Sequence, residues 1–188
     1  MNAIATHEER LSQMTLKAAV IYDDFNFAAQ ATALLERVAI RADEAMKWDV
    51  KPWRLDVLQE PALADDALGE TADADLILVA LRKTPSLPDE LMGWLESWAM
   101  KRQTEDTAMM VFCPEENAAS TPLWHSLKEF AEWQSLPFLG SRNLRDDANS
   151  MDFVNRLWQR KQPPQPVGPM LVSLAESARP SGHWGINE

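Results

Sequence analysis

The chain has 188 residues, with 29 acidic and 18 basic side chains and a formal net charge of −11. This length suits one domain with short extensions, since single domains cluster near roughly 100–150 residues. No run of Lys or Arg exceeds two residues, which argues against a phosphate-tracking surface and therefore against nucleic-acid binding. No apolar stretch approaches the ~20 residues that a membrane-spanning helix needs.

The cysteine content and the N-terminus indicate a cellular compartment. Cys113 is the only cysteine, which excludes an internal disulfide and fits a reducing environment. Residues 1–14 lack a basic segment followed by an apolar one, so they are not a signal peptide, and we expect them to be flexible. The sequence therefore predicts a cytoplasmic protein without a membrane segment.

The first two predicted elements are a buried strand and a long helix. Leu16–Tyr22 is apolar apart from Lys17, as in a parallel strand covered on both faces. In the following helix, Asp24 or Asn26 is a suitable N-cap, because its side-chain oxygen can accept a hydrogen bond from a first-turn N–H. Apolar residues recur there at spacings of three and four: Ala28, Ala31, Leu34, Leu35, Val38, Ala39 and Ala42.

A second strand, a short helix and a central strand follow. Asp49–Leu58 predicts the second strand, and Pro52 favours an edge position for it because proline lacks a ladder donor. Glu60-Pro61 opens a short helix, and the strongly apolar Leu76–Leu81 predicts a strand at the centre of the sheet. The next helix carries an apolar stripe of Leu91, Trp94, Leu95 and Trp98.

The remaining elements complete an alternating pattern. Thr107–Cys113 predicts the fourth strand, Ser120-Thr121 caps a fourth helix, and Leu136–Leu139 predicts the fifth strand. The last predicted helix bears Phe153, Val154, Leu157 and Trp158. Five strands alternating with five helices predict an α/β fold, a three-layer sandwich around a doubly wound parallel sheet of order 2-1-3-4-5.

Residues 15–161 therefore form the predicted domain, and residues 162–188 form a proline-rich linker and a C-terminal tail. The linker contains Pro163-Pro164-Gln165-Pro166, a stiff and extended type of sequence. The apolar segment Met170–Leu174 follows it. The tail could pack on its own domain, contact a second subunit or bind another protein.

The chain resembles the flavodoxin-like architecture, which flavodoxins, flavin reductases and response-regulator receiver domains share. The resemblance spans roughly Leu16–Lys161 and rests on the order of the elements. Locally it rests on Asp75–Val79 followed by Pro85–Leu91, a strand, a loop and a proline-started helix like those of flavodoxins and flavin reductases.

Receiver domains place acidic residues after the first strand, a phosphorylated Asp after the third, Ser or Thr after the fourth and Lys after the fifth. Here Asp23 and Asp24 match the first position. The third strand runs into Arg82 with no Asp to accept a phosphoryl group. The positions after the fourth and fifth strands also lack the residues that receiver domains place there. The two carboxylates could attract Mg²⁺, but two alone make a weak site. Capping of a helix N-terminus is the favoured interpretation, and we expect no metal site.

Flavodoxins hold the flavin phosphate in a hydroxyl-rich loop after the first strand, through backbone N–H groups. The corresponding loop, Asp23–Phe27, has no Gly, Ser or Thr, and its carboxylates would repel a phosphate. Arg82 and Lys83 could bind an anion, remain solvated, or pair with Asp23 or Asp24. The candidate pocket at the carboxyl ends of the strands comprises Asp23, Asp24, Asn26, Arg82, Lys83, Thr84 and Ser86.

Two further groups of residues could have either a purely structural role or a functional one. Cys113 and His125 would need to meet to form a nucleophile pair, and a small buried hydrophobe is the favoured role for Cys113. Trp94 and Trp98 are expected in the core. Exposed tryptophans can mark a partner surface, and those expected nearer helix ends or flanks are Trp48, Trp124 and Trp133.

These observations favour a module that acts through protein contacts in bacterial signalling or regulation. We expect it to have no catalytic residues and no cofactor. Its partner would be another protein or a second copy of the chain, with the C-terminal tail as one contact. The alternative is a divergent FMN-binding oxidoreductase of flavodoxin-like fold, whose flavin lies above the loops after the first, third and fourth strands.

Overall fold

The computed structural model describes residues 14–42, 46–113, 121–140 and 157. Within them, five strands form one parallel sheet of order β2-β1-β3-β4-β5, so the predicted α/β class and strand order are confirmed. The strands are β1 (Met14–Tyr22), β2 (Met46–Arg54), β3 (Leu76–Ala80), β4 (Ala108–Val111) and β5 (Phe138–Gly140). The helices are α1 (Phe25–Ala42), α2 (Pro61–Thr71), α3 (Asp89–Lys101) and α4 (Pro122–Trp133), and a 3-10 turn covers Val57–Gln59.

Two apolar clusters share the strands of this sheet. In β1 to β4, even-numbered residues such as Val20 and Leu78 cluster with α1, and odd-numbered residues such as Ile21 and Ile77 cluster with α2, α3 and α4. In β5 the numbering is reversed, since Leu139 packs on the first cluster and Phe138 on the second. Successive side chains of a strand point in opposite directions, so neighbouring residues of β3 belong to different clusters. Because the β3 side chains that point in either direction pack into a cluster, every residue of β3 is buried, and its sequence is uniformly apolar.

The predicted bounds of the second strand, Asp49–Leu58, are wrong at both ends. β2 begins at Met46, and the chain leaves the sheet after Arg54. The reason is a tight turn, in which the Arg54 guanidinium donates to the Asp56 carboxylate at 2.6 Å and the 3-10 turn then buries Leu58. β2 does lie at an edge of the described sheet, as Pro52 predicts.

The fifth strand also starts later than predicted, at Phe138 instead of Leu136. Leu136 belongs to the C-terminal cap of α4, where its N–H donates to the Ala131 carbonyl at 2.8 Å. The Ser135 N–H donates to the Glu132 carbonyl at 3.1 Å, and Ser135 adopts a left-handed φ of 56°. This is a Schellman motif, which satisfies carbonyls that the helix end leaves free.

Several predictions fall outside the described residues. They are the helix near Phe153–Trp158 (except Leu157), the linker and tail over residues 162–188, and the N-terminal segment up to residue 13. Leu157 is buried in the cluster that contains α1. Met14, placed in the N-terminal segment by the sequence, belongs to β1. Among the described residues, no helix combines the length and apolar character needed to cross a membrane.

Candidate functional site

Asp23 follows β1 and is hydrogen-bonded to the segment that follows β3. Its carboxylate accepts hydrogen bonds from the backbone N–H groups of Arg82 (2.8 Å), Lys83 (2.7 Å) and Thr84 (3.0 Å). The Thr84 hydroxyl donates a fourth, at 3.1 Å. Successive N–H groups that converge in this way form an anion-binding concavity. Asp23 therefore supplies, from the chain itself, the anion that this loop could otherwise take from a ligand.

The sequence predicts either Asp24 or Asn26 as the N-cap of α1, and the structure shows that the N-cap is Asp24. Its Oδ1 accepts from the Phe27 N–H at 3.1 Å, and its carbonyl accepts from the Ala28 N–H at 2.9 Å. The Lys83 ammonium lies 3.3 Å from Oδ2. The hydrogen bond from Phe27, followed by the cationic side chains of Lys83 and Arg82, lowers the pKa of Asp24 below its ordinary value. The carboxylate is therefore held in its charged form.

The structure thus brings together most of the residues predicted at this edge. Lys83 and Arg82 are exposed, and Thr84 is half-buried. Asn26 lies exposed in the first turn of α1 and is not the N-cap, while Ser86 is exposed in the loop before α3. Within the described ranges, no hydrogen bond joins either of these last two side chains to the network around Asp23.

A cavity of about 330 Å³ opens beside this network, between the carboxyl ends of β3 and β4 and the first turns of α1 and α4. Of the predicted pocket residues, only Arg82 and Thr84 line it. The apolar lining consists of Phe27, Leu81, Pro85, Val111, Phe112 and Leu123, and the polar lining of Gln30, Arg82, Thr84, Cys113 and Thr121. We call this space the β3–β4 cavity.

Sequence reasoning missed most of this lining, although one signal was present. Cys113 and Thr121 flank the connection from β4 to α4, and parallel sheets bind ligands at such strand ends. Phe27 and Gln30 carry no comparable signal, because only the packing of α1 on the sheet brings them to the cavity. Thr121 also caps α4 as predicted, accepting the Trp124 N–H at 3.3 Å.

The possible nucleophile pair is not assembled. Cys113 is half-buried in the wall of the β3–β4 cavity, which makes it less buried than the sequence suggested. His125 is exposed on α4 and is absent from the described lining of the cavity. Nucleophilic catalysis needs the base within hydrogen-bond reach of the thiol, so these two residues do not form such a site.

A second depression, of about 270 Å³, lies between α3 and α4. Its lining includes buried Phe130, half-buried Met92 and the largely exposed Trp133, whose exposed fraction is 72%. Glu96 and Glu129 place two carboxylates at the same depression. We call this surface the α3–α4 groove.

The tryptophans divide largely as predicted. Trp94 and Trp98 are buried, and their indole N–H groups donate to the carbonyls of Ala64 (3.1 Å) and Thr71 (3.0 Å). These bonds tie α3 to α2 while satisfying buried donors. Of the three tryptophans expected near helix ends or flanks, Trp48 and Trp124 are half-buried and Trp133 is the most exposed.

No group of three or more side chains suited to metal binding occurs in the described part of the chain. In comparisons with known proteins, the chain matches no family model and no curated protein sequence.

Proposed function

We propose that this protein is a flavodoxin-like module without catalytic activity that acts through protein contacts, in bacterial signalling or regulation. The three-layer, doubly wound arrangement is part of the proposal, and the strand order and the two apolar clusters support it. The signalling role rests on the resemblance to receiver domains. The observation that carries the interaction function is the exposed Trp133 beside the α3–α4 groove.

The state of the two carboxylates after β1 supports a role without catalysis. Asp23 already accepts four hydrogen bonds from the β3–α3 loop. Asp24 caps α1 and pairs with Lys83. A carboxylate whose lone pairs are engaged in this way is poorly placed to coordinate a cation or accept a phosphoryl group. Both side chains instead stabilise the local structure.

The α3–α4 groove has the composition of a partner-binding surface. Binding energy at interfaces concentrates in a few aromatic anchors seated next to apolar pockets, and Trp is the residue most often found in that role. Trp133 offers such an anchor, and Phe130 and Met92 provide an apolar floor next to it. An exposed tryptophan beside a concave apolar floor is more informative than one on a flat surface.

Charge indicates the chemistry of the partner. Glu96 and Glu129 line the α3–α4 groove, no basic residue belongs to its described lining, and the whole chain carries a net charge of −11. Complementary charge speeds association and selects between partners. The proposed occupant is an amphipathic helix of another protein, with an apolar residue against Trp133 and Lys or Arg beside the two carboxylates.

The test uses two designed helical peptides with the same apolar face, one with lysines and the other with glutamates on its polar face. Binding to the full-length protein is followed by the fluorine NMR signals of 5-fluorotryptophan. We expect only the lysine peptide to bind and to shift the Trp133 signal. Trp133→Ala should weaken binding about 30-fold, while Ile40→Ala, which removes an equally exposed side chain from α1, should leave it unchanged.

Equal binding of the two peptides, or equal effects of the two substitutions, would refute the assignment of this groove.

Contact between two copies of the chain through the C-terminal tail is a separate part of the proposal. Sedimentation of the full chain and of a variant lacking residues 163–188 measures it directly. A smaller mass per particle for the truncated variant, beyond the deleted residues, would identify the tail as the contact between copies.

FMN binding by an oxidoreductase is the second candidate, because the β3–β4 cavity opens at the carboxyl ends of two central strands. It ranks second because the loop after β1, which holds the flavin phosphate in flavodoxins, here carries the carboxylates of Asp23 and Asp24, and because Asp23 already occupies the N–H groups of residues 82–84. Purified protein should be yellow if FMN is bound. Added FMN should also raise the unfolding temperature in proportion to occupancy, and a colourless protein without such a shift would eliminate this candidate.

A further inference from the structure

We propose that the β3–β4 cavity binds a small apolar monocarboxylate, an aromatic or short aliphatic acid. The carboxylate would meet the Arg82 guanidinium at the rim, and the apolar body would lie among Leu81, Val111 and Phe112. This binding function is independent of the proposed protein contacts at the α3–α4 groove, because the two surfaces share no lining residue.

The size of the cavity selects a small molecule. Its volume of about 330 Å³ is at the lower end of the roughly 300–1,000 Å³ found for ligand pockets. An aromatic acid with a single ring fits such a space. A flavin mononucleotide carries a three-ring system, a sugar alcohol chain and a phosphate, and it would extend well beyond it.

The lining selects an apolar body. Phe27 and Leu123 are buried side chains that reach the cavity from α1 and α4, and buried Phe112 reaches it from the position just after β4. Phe27 and Phe112 contact each other edge to face, with ring centroids 4.8 Å apart. This pair gives one wall a rigid aromatic surface, against which a ring or alkyl chain can pack with little loss of side-chain freedom.

The charges around the cavity select an anion. Arg82 is the only charged residue in the described lining, and its side chain is exposed. Its charge also acts on Asp24, whose nearer cationic partner is Lys83. The neighbouring charges are already engaged, since Asp23 accepts the loop N–H groups and Asp24 pairs with Lys83. A planar guanidinium can bind a carboxylate through two parallel hydrogen bonds.

The same surroundings disfavour a phosphate. A phosphate dianion is usually held by several backbone N–H groups, and here those of residues 82–84 are bonded to Asp23. The carboxylates of Asp23 and Asp24 also lie near Arg82 and would repel a dianion more strongly than a monoanion. The exposed amide of Gln30 is a further neutral partner for a carboxylate oxygen.

The test is an NMR titration of the full chain with benzoate, phenylacetate and hexanoate, and with benzamide as the uncharged match for benzoate. Inorganic phosphate and FMN are tested separately. We expect the carboxylates to bind and to shift the backbone signals of residues 27–30, 81–85 and 111–113. Benzamide should bind at least tenfold more weakly than benzoate, since it lacks the charge that Arg82 recognises.

Substitutions at two exposed arginines provide the matched control. Arg82→Gln should weaken benzoate binding about tenfold. Arg37→Gln removes the same charge from an exposed position of α1 outside the described cavity lining and should change binding less than twofold. Both side chains are exposed, so both variants should fold. Failure of all three acids to bind at 10 mM, equal binding of benzamide, equal effects of the two substitutions, or tighter binding of phosphate or FMN would each overturn the proposal.

Discussion

The hydrogen bonds of Asp23 predict a large loss of stability when its carboxylate is replaced by an amide. In Asp23→Asn the side chain keeps its shape and one acceptor oxygen, but the second oxygen becomes an NH₂ group. Three backbone N–H groups and one hydroxyl point at the original carboxylate. Whichever way the amide turns, at least one N–H donor then faces another donor.

The magnitude follows from the number and type of bonds. A hydrogen bond to a charged group contributes about 1.5–3 kcal/mol, and a neutral one about 0.5–1.5 kcal/mol. Asn retains neutral bonds on one side and loses the Arg82 N–H bond or the Lys83 and Thr84 bonds on the other. Solvent replaces part of this loss, because Arg82 and Lys83 are exposed. We therefore expect Asp23→Asn to lower the free energy of unfolding by about 2 kcal/mol.

Urea unfolding measures this loss, and hydrogen exchange of the amides of residues 82–84 locates it. These amides should be protected in the wild type and exchange faster in Asp23→Asn. Asp24→Asn is the matched control, since Asn caps helices as well as Asp does, and this substitution removes the charge that faces the exposed Lys83 ammonium. A loss for Asp23→Asn no greater than for Asp24→Asn, or unchanged exchange at residues 82–84, would refute the reasoning.

Three other predictions concern stability, each measured by urea unfolding. Gly140→Ala would place Cβ 2.4 Å from the Trp124 ring and should cost about 1–3 kcal/mol; Gly93→Ala, with open space, should be neutral or stabilising. Ser135→Gly should raise stability by up to about 1 kcal/mol by relieving the left-handed φ, so a decrease would contradict the cap. The lowered pKa of Asp24 means that its stabilisation is complete above the ordinary value of 3.8 and is lost as pH falls through the folded pKa. The difference in free energy of unfolding between wild type and Asp24→Asn should therefore be independent of pH near neutrality and shrink below about pH 4. A difference that grows on acidification would contradict this prediction.

The sheet could be predicted because burial on both faces leaves a direct mark on the sequence. Leu76–Leu81 was expected at the centre, and β3 lies between β1 and β4. The bounds of β2 could not be predicted in the same way. Trp53, Leu55 and Val57 alternate like a strand, but the chain turns away from the sheet at Leu55 and Asp56, where the Arg54 guanidinium also bonds to the Asp56 carboxylate. Alternation over a few residues does not distinguish a strand end from a turn.

The candidate site was predictable only in outline. Asp23, Asp24, Arg82 and Lys83 could be assigned to one edge because parallel strands end together. Their partners could not be assigned, because the bonds of Asp23 depend on how far β1 and β3 extend relative to each other. Ile21 pairs with Val79, and Tyr22 with Ala80. That register brings Asp23 level with the backbone N–H groups just beyond β3, and no local sequence pattern encodes it.

The position of Asp23 also explains why the cavity lies where it does. β1 and β3 are neighbours, and the helices that follow them, α1 and α3, belong to different apolar clusters. In the proposed doubly wound arrangement, the space between the ends of these two strands is the usual ligand site. Asp23 closes that space by binding the β3–α3 loop across it. The β3–β4 cavity opens on the β4 side of that loop, where α1 and α4 supply apolar walls and Arg82 supplies charge. A carboxylate of the chain bonded to the loop N–H groups thus weakens the case for a flavin phosphate at this edge, and it leaves the neighbouring cavity as the site proposed for a smaller anion.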